Sequence, residues 1–127
     1  MRTLNFLFAT LFSLVLTGTS ALASDVRLIM VEQPGCAYCA AWNDQIAPAY
    51  PNTDEGKFAP LERADLHMGP PDGVTYARRV NFTPTFILVK DGQELARMEG
   101  YVGEDFFWPL YARLLDEHTT FAPGSND

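Results

Sequence analysis

The chain has 127 residues, of which 47% are hydrophobic, and its formal net charge is −7. This acidic balance argues against nucleic acid and against anionic membrane surfaces as partners, because both repel a negatively charged protein. The length corresponds to one domain, which can bury roughly two-thirds of its unfolded surface and fold without crosslinks.

The first 23 residues have the pattern of a secretory signal peptide. Arg2 is followed by an apolar run over residues 4–16, and a small and polar stretch then ends in an A-x-A pattern at residues 21–23. The apolar run is shorter than the roughly 20 residues that span a bilayer. We therefore expect export, cleavage after residue 23 and a mature domain at residues 24–127. An uncleaved membrane anchor is the alternative.

A strand and then a helix are predicted at the start of the mature chain. The run VRLIMVE, Val26–Glu32, is short, apolar and rich in branched residues, as is typical of a buried strand. A Pro-Gly turn follows it. Residues 36–47 predict a helix, because Cys39, Trp42 and Ile46 are spaced along one helix face.

The remaining elements follow from the same patterns. We predict a polar loop at residues 50–60, a strand at 61–66, a short helix at 74–81, strands at 86–90 and 94–98, a helix at 103–118 and a frayed tail. Asp91-Gly92 is a strong turn signal between the two later strands. The helix between the first two strands makes them parallel, and the hairpin adds two antiparallel strands. The predicted fold is therefore α/β, a four-stranded mixed sheet with helices on both faces.

The chain has only two cysteines, Cys36 and Cys39, and three roles are open to them. A structural disulfide across so short a loop would contribute only about 2 kcal/mol and would join no distant elements. A metal site needs two further ligands, whereas His67 and His118 are isolated and no second C-x₂-C is present. The pattern favours a redox pair, with no metal and no bound cofactor.

The position of the pair suggests a different task for each sulfur. Cys36 lies where the predicted helix begins, so that free backbone N–H groups and the helix dipole stabilise its thiolate. Sulfurs in this setting have pKa values of about 3.5–7.5, compared with about 8.5 for a free cysteine. We expect Cys36 to be the nucleophile. Cys39, one turn on and more buried beside Trp42, is expected to resolve the mixed disulfide.

The motifs and the order of elements resemble the thioredoxin superfamily. The shared features are the C-x-x-C at the first strand-to-helix turn, Thr83-Pro84 before the third strand, and the closing hairpin and helix. The resemblance covers nearly all of the mature chain, and the expected size is that of a glutaredoxin. The segments EQPGCAYC, IAPAYPNTDEG and EGYVGEDFFWPL are similar to the periplasmic thioredoxin-fold proteins of bacterial sulfur-oxidation gene clusters.

This resemblance implies a monomeric periplasmic thiol–disulfide oxidoreductase that acts on a protein disulfide. The implied substrate is the cysteine-bearing carrier protein of the sulfur-oxidation system, which it would reduce or reactivate, and the implied electron donor is a membrane thiol carrier. The resemblance also implies a cis Pro84 packed against the cysteines, with Thr83 offering its backbone to the substrate. Tyr38, Gly100 and Tyr101 would line the same groove.

One position departs from the thioredoxin pattern. Met30 stands where thioredoxin has a buried aspartate, six residues before the first cysteine, although Glu32 is nearby. The group that exchanges a proton with Cys39 is therefore left unassigned. Two alternative functions also stay open: a disulfide oxidase or cytochrome-maturation reductase, and a non-catalytic redox-responsive regulator or binding module on the same fold.

Overall fold

A computed structural model describes residues 24–124, and the predicted signal peptide lies outside this range. The elements are β1 (Val26–Glu32), α1 (Ala37–Gln45), a 3₁₀ turn (Tyr50–Asn52), α2 (Asp54–Phe58), β2 (Leu61–Asp65), β3 (Thr85–Lys90), β4 (Gln93–Glu99) and α3 (Glu104–His118). The strand order is β2-β1-β3-β4, with β1 parallel to β2 and the other pairs antiparallel. The predicted α/β fold with a mixed four-stranded sheet is confirmed. Within the described range, none of the helices combines the length and the apolar character that a membrane crossing requires.

The two central strands are apolar on both sides because both faces of the sheet are covered. On what we call the helical face lie Leu28, Met30, Phe86 and Leu88. On what we call the second face lie Ile29, Val31, Ile87 and Val89. Each of these eight side chains is fully buried or nearly so.

Helices α1 and α3 pack on the helical face, with Trp42 between them and the sheet. The Trp42 side chain is fully buried, and its ring centroid lies 5.1 Å from that of Phe86 and 5.7 Å from that of Phe107. Aromatic rings at these distances contribute beyond the area they bury. The packing therefore fixes α1, and the cysteines at its start, against the centre of the sheet.

A buried pair of tyrosines joins α3 to the 3₁₀ turn. The hydroxyl of Tyr50 donates to the backbone oxygen of Ala59 at 2.6 Å and lies 2.8 Å from the hydroxyl of Tyr111. Burial raises the pKa of both phenols above the ordinary value, so both remain neutral at any physiological pH. The helical face thus contains a satisfied polar contact inside an otherwise apolar core.

The second face is covered differently, and here the helix predicted at residues 74–81 is wrong. An irregular segment, residues 66–84, lies over this face and buries Val74 and Val80 against it. The backbone N–H of Thr75 donates to the oxygen of Gly92 at 2.8 Å, and its oxygen accepts from the N–H of Glu94 at 3.2 Å. Because these groups bond to the start of β4, they are not available for a helical ladder.

A buried ion pair, which we call the Glu94–Arg97 clamp, fixes the same segment. The two side chains are only 3% and 4% exposed, and the Arg97 Nε–Glu94 Oε1 distance is 2.6 Å. Arg97 also donates to the backbone oxygen of Arg78 at 2.8 Å, and Glu94 accepts from the N–H of Ala77 at 2.7 Å. Burial alone would raise the pKa of Glu94, but the hydrogen bonds from Arg97 and Ala77 outweigh it and lower that pKa.

Two further predictions need correction. The predicted polar loop contains α2, whose N-cap residue Thr53 accepts a hydrogen bond from the N–H of Gly56 at 3.0 Å. A five-residue helix is shorter than the window of about 11 residues over which helical periodicity shows in a sequence, so its local signals are the capping residue and the acidic first turn. The tail is not entirely frayed either, because Phe121 is buried with its ring 5.2 Å from that of Phe58.

Candidate active site

Three loops leave the sheet side by side at one end of its strands. The register pairs Val31 with Thr85 across β1 and β3, and Thr85 with Glu99 across β3 and β4. The chain after β1, the chain before β3 and the chain after β4 therefore start next to one another. These loops carry most of the residues singled out in the sequence: Cys36, Tyr38, Cys39, Thr83, Pro84, Gly100 and Tyr101.

The two cysteines form a disulfide at the start of α1. Their Cα atoms are 5.2 Å apart, within the range of ordinary disulfides. Cys36 is the N-cap residue of the helix, and its Sγ accepts the backbone N–H of Cys39 at 3.1 Å. Cys39 is 3% exposed, whereas Cys36 is partly exposed. An incoming thiolate or disulfide can therefore reach Cys36 but not Cys39.

A shallow depression of about 400 Å³ opens beside the disulfide. Its lining residues are Glu32, Gln33, Gly35, Cys36, Ala37, Cys39, Ala40 and Asn43. None of these described residues is cationic, so the positive field at Cys36 comes from the backbone N–H groups at the helix start. A negative charge on Cys36 is stabilised there without a basic side chain.

Glu32 faces this depression with its carboxylate already engaged. Its Oε2 accepts from Arg63 Nη1 at 2.5 Å and its Oε1 from Asn43 Nδ2 at 3.3 Å. Arg63 also donates to Asn43 Oδ1 at 2.8 Å, which closes a three-residue network. Met30 is fully buried and offers no ionisable group. Glu32 is thus the one carboxylate among the residues that line the depression, which Cys39 also lines.

The Thr83–Pro84 peptide bond is cis, as the family resemblance implies. The Pro84 side chain is buried, and its backbone oxygen accepts the N–H of Gly100 at 2.7 Å. The Oγ1 of Thr83 accepts from Gln33 Nε2 at 2.8 Å, which joins this loop to the loop before Cys36. The sequence reasoning missed Gln33. Its only signal is its place opposite Thr83 when the register of β1 and β3 is extended by two residues.

The structure separates two of the aromatic residues singled out for the groove. Tyr38 is 65% exposed beside the disulfide. Tyr101 is 6% exposed, its ring lies 6.2 Å from that of Phe107, and its hydroxyl donates to Gln45 at 2.6 Å. The ring of Tyr101 therefore belongs to the core, and only its backbone can face the groove.

Four exposed apolar side chains lie on the segments that follow β1, precede β3 and follow β4. We call this set the apolar rim; its members are Tyr38, Phe82, Val102 and Phe106, and each is more than half exposed. Phe106 is exposed at the start of α3, whereas the neighbouring Phe107 packs inward. Exposed apolar groups in one patch are typical of a surface that binds another protein.

The described residues 24–124 contain no group of three or more His, Cys, Asp or Glu side chains arranged to hold a metal ion. His67 and His118 are both exposed. The redox group that the structure presents is the disulfide itself, which exchanges two electrons through its own sulfur atoms.

Comparison with known proteins places the chain in a family. A model of the thioredoxin-like domain matches residues 20–114, and the chain belongs to this family. Together with the Cys36–Cys39 disulfide at a helix start, this membership defines a thiol–disulfide oxidoreductase. Members of the family act on disulfides of other proteins.

One solved structure is similar over almost its whole length. It is the periplasmic thioredoxin SoxS from Paracoccus pantotrophus in its reduced form, with 54% sequence identity and a TM-score of 0.70; the match covers 72% of this chain and 97% of that one. A second is thioredoxin-2 of a malaria parasite, with 22% identity, a TM-score of 0.52, and coverage of 72% of this chain and 85% of the other. The second likeness concerns the fold alone. Among curated proteins, no sequence matches this chain.

Proposed function

We propose that this protein is a periplasmic reductase for a cysteine-bearing protein of the bacterial sulfur-oxidation system. It would be exported by a cleaved signal peptide at residues 1–23 and act as a monomeric domain at residues 24–127. The single observation that carries the reaction is the disulfide with one reachable sulfur at a helix start and one buried sulfur beneath it. The 54% identity to a periplasmic SoxS supports the compartment and the system.

The reaction begins with the reduced pair. The Cys36 thiolate attacks one sulfur of the substrate disulfide, so that the substrate S–S bond breaks and a mixed disulfide forms. The substrate sulfur that leaves takes up a proton. Cys39 then loses its proton and attacks Cys36 Sγ, which forms the Cys36–Cys39 bond and releases the second substrate sulfur as a thiolate. The substrate gains two electrons and the cysteine pair loses them, and the proton that Cys39 gives up balances the proton that the first substrate sulfur takes up.

The three loops would hold the substrate during this exchange. The backbone of Thr83 and Gly100 lies at the end of the sheet where β3 begins and β4 ends, beside the cis Pro84. The residues of the apolar rim lie on the same three segments, and Tyr38 lies between the two cysteines in sequence. We assign protein binding to these groups because a small disulfide would not need an apolar surface of this extent.

The oxidised pair needs an electron source before the next cycle. In an oxidising compartment a reductase depends on a dithiol donor that reaches it from the membrane. That donor would attack Cys36, since Cys39 is 3% exposed. The same surface would therefore serve donor and substrate in turn.

Trapping of the mixed disulfide tests the proposal. The Cys39→Ser variant cannot resolve the bond that Cys36 makes, so it should accumulate a covalent complex with its substrate in periplasmic extract. The Cys36→Ser variant should accumulate none. Non-reducing electrophoresis followed by mass spectrometry would identify the trapped protein, and we expect a cysteine-bearing component of the sulfur-oxidation system.

Three outcomes would contradict the proposal at different levels. If both serine variants retain full reductase activity, the pair is not catalytic and the reductase assignment fails. If Cys36→Ser binds its target as tightly as the native protein and the native protein shows no turnover, the chain is a redox-responsive binding module. A trapped protein from cytochrome maturation would keep the chemistry and change the system.

A further inference from the structure

A second cavity in residues 24–124 lies away from the disulfide, under the irregular segment on the second face. Its volume is about 760 Å³, compared with about 400 Å³ for the depression beside Cys36. Ligand pockets for small molecules usually have volumes of roughly 300–1,000 Å³. The reaction described above uses none of its lining residues.

The inner part of this cavity is apolar. Val31, from the end of β1, and Val74 and Val80, from the irregular segment, are buried residues that line it. Tyr76 lines it as well and is partly buried. These side chains offer a surface to an aliphatic or aromatic body.

The outer part of the cavity is cationic. Arg78 and Arg79, adjacent in the chain, line it, and so does His67 on the chain that follows β2. Arg78 is paired with Glu99 at 2.9 Å. The Arg79 guanidinium has no ion pair or hydrogen bond to any of the residues 24–124. In a chain whose net charge is −7, an unpaired guanidinium beside an apolar cavity is available for a ligand.

One carboxylate also lines the cavity, and its position limits the charge there. Asp65 lies at the end of β2, and its Oδ1 accepts the backbone N–H of His67 at 2.7 Å. This bond fixes the turn that follows β2. Since Arg78 is paired with Glu99, the charged lining residues left are Asp65, whose carboxylate already accepts a hydrogen bond within its own turn, and Arg79, which has no ion pair within residues 24–124.

The wall that carries the arginines is held in place by buried groups. Arg97 donates to the backbone oxygen of Arg78 at 2.8 Å and to that of Arg79 at 3.4 Å, while its partner Glu94 accepts from the N–H of Ala77. These contacts use only the backbone of the wall, so the side chain of Arg79 stays free. A pre-formed wall avoids the entropic cost of ordering a loop when a ligand binds.

We propose that this cavity binds a small organic anion, a carboxylate or a sulfonate on an apolar body. The apolar body would lie on Val31, Val74 and Val80, and the oxyanion would accept hydrogen bonds from the Arg79 guanidinium, whose planar donors match two oxygens at once. The site is separate from the disulfide, which lies with the residues of the helical face, so its occupancy does not require the redox reaction.

Titration with 2-naphthalenesulfonate tests the site on the purified protein with its disulfide formed. In ¹H–¹⁵N spectra we expect saturable shifts at Thr75, Arg79 and Val80. Arg79→Gln should raise the dissociation constant roughly tenfold, the usual effect of one charge-assisted hydrogen bond. Arg79→Lys, which keeps the charge without the planar donors, should raise it less. The matched control is Arg113→Gln, an exposed arginine on α3, which should leave the dissociation constant unchanged.

Two comparisons decide the outcome. The uncharged 2-naphthalenemethanol should bind at least tenfold more weakly than the sulfonate, because it lacks the anion. The proposal is overturned if the sulfonate gives no saturable shifts or if its shifts are confined to the apolar rim. It is also overturned if Arg79→Gln binds the sulfonate as tightly as the native protein does and the native protein binds the alcohol as tightly as the sulfonate. Urea unfolding of each variant excludes loss of structure as the cause, and Arg79→Lys keeps the test valid if Arg79→Gln unfolds.

Discussion

The two faces of the sheet are covered in different ways. On the helical face, α1 and α3 bury interlocking aromatic rings around Trp42. On the second face, an irregular segment contributes two valines and is fixed by the Glu94–Arg97 clamp and by Thr75 at the start of β4. Both faces exclude water from the same central strands. One does so with helix packing and the other with polar contacts to the backbone of a loop.

The difference shows where each kind of stability comes from. Helix packing depends on apolar area and tolerates small rearrangements of side chains. A buried ion pair stabilises a fold only while both partners are present, because either charge alone is costly to bury. We therefore expect the second face to be sensitive to charge and the helical face to be sensitive to volume.

The largest effect is expected from removing half of the clamp. Arg97→Met leaves the Glu94 carboxylate buried with only the Ala77 N–H as a partner, and should lower the unfolding free energy by about 3–5 kcal/mol. Urea unfolding followed by circular dichroism measures this. The double variant Arg97→Met, Glu94→Leu should recover much of the loss, since no charge is left unpaired.

The matched control for the clamp is the exposed pair on α3. Arg113 and Glu117 lie 2.7 Å apart with their side chains 74% and 48% exposed. Arg113→Met should leave the unfolding free energy unchanged, because water compensates the lost pair. If Arg97→Met also had no effect, the clamp would not be what fixes the second face.

The next largest loss of unfolding free energy is expected from alanine variants of two neighbouring residues of β3. Leu88 and Ile87 are both fully buried, but Leu88 faces the helices and Ile87 faces the irregular segment. Each alanine variant should cost about 2–5 kcal/mol, with Leu88→Ala the larger by roughly 1 kcal/mol, because an irregular segment can close over the gap more completely than two packed helices can. Equal losses would show that the two covers are equally rigid.

A smaller effect is expected from the acid titration of the clamp. The pKa of Glu94 is lowered in the folded state, so its contribution is present above the unfolded value of about 4.3 and is lost as the pH falls through the lower folded value. The variant Glu94→Gln has no such proton to bind. Its unfolding free energy should therefore fall less steeply than that of the native protein between about pH 5 and pH 3. Parallel curves for the two proteins would show that protonation of Glu94 does not contribute to the loss of stability in acid.

The smallest effect tests a polar contact on the helical face. Tyr111→Phe removes the hydroxyl that lies 2.8 Å from Tyr50, while Tyr50 keeps its bond to the backbone oxygen of Ala59. The unfolding free energy should fall by about 1 kcal/mol. A loss as large as that from Arg97→Met would mean that polar contacts govern both faces.

The helical face and the cysteine pair were predictable because local patterns specify them. The branched residues of β1, the spacing of Cys39, Trp42 and Ile46, and the Asp91-Gly92 turn each act over a few residues. The position of the cysteines at a helix start followed directly from these patterns. The family resemblance implied the cis Thr83–Pro84 bond, which the structure contains, and the comparisons confirm the family.

The second face could not be predicted in the same way. Residues 74–81 have a helix-compatible composition, but contacts with Gly92, Glu94 and Arg97 take up their backbone groups. Glu94 and Arg97 are three residues apart and would lie on opposite faces of a regular strand, so their contact depends on the register shift opposite Leu88 and Val89, which the sequence of β4 does not show. Gln33 is similar, since its partner Thr83 lies 50 residues away. Such contacts depend on the fold being formed already.

The cap of α1 has a consequence for the energy stored in the cysteine pair. In the oxidised protein an uncharged sulfur terminates this nine-residue helix, whereas on reduction the same atom can carry a full negative charge against the same N–H groups. The first turn therefore stabilises the reduced state, with its Cys36 thiolate, more than the disulfide state. Any substitution that loosens that turn should make the cysteine pair easier to oxidise, even if the substituted residue contacts neither sulfur.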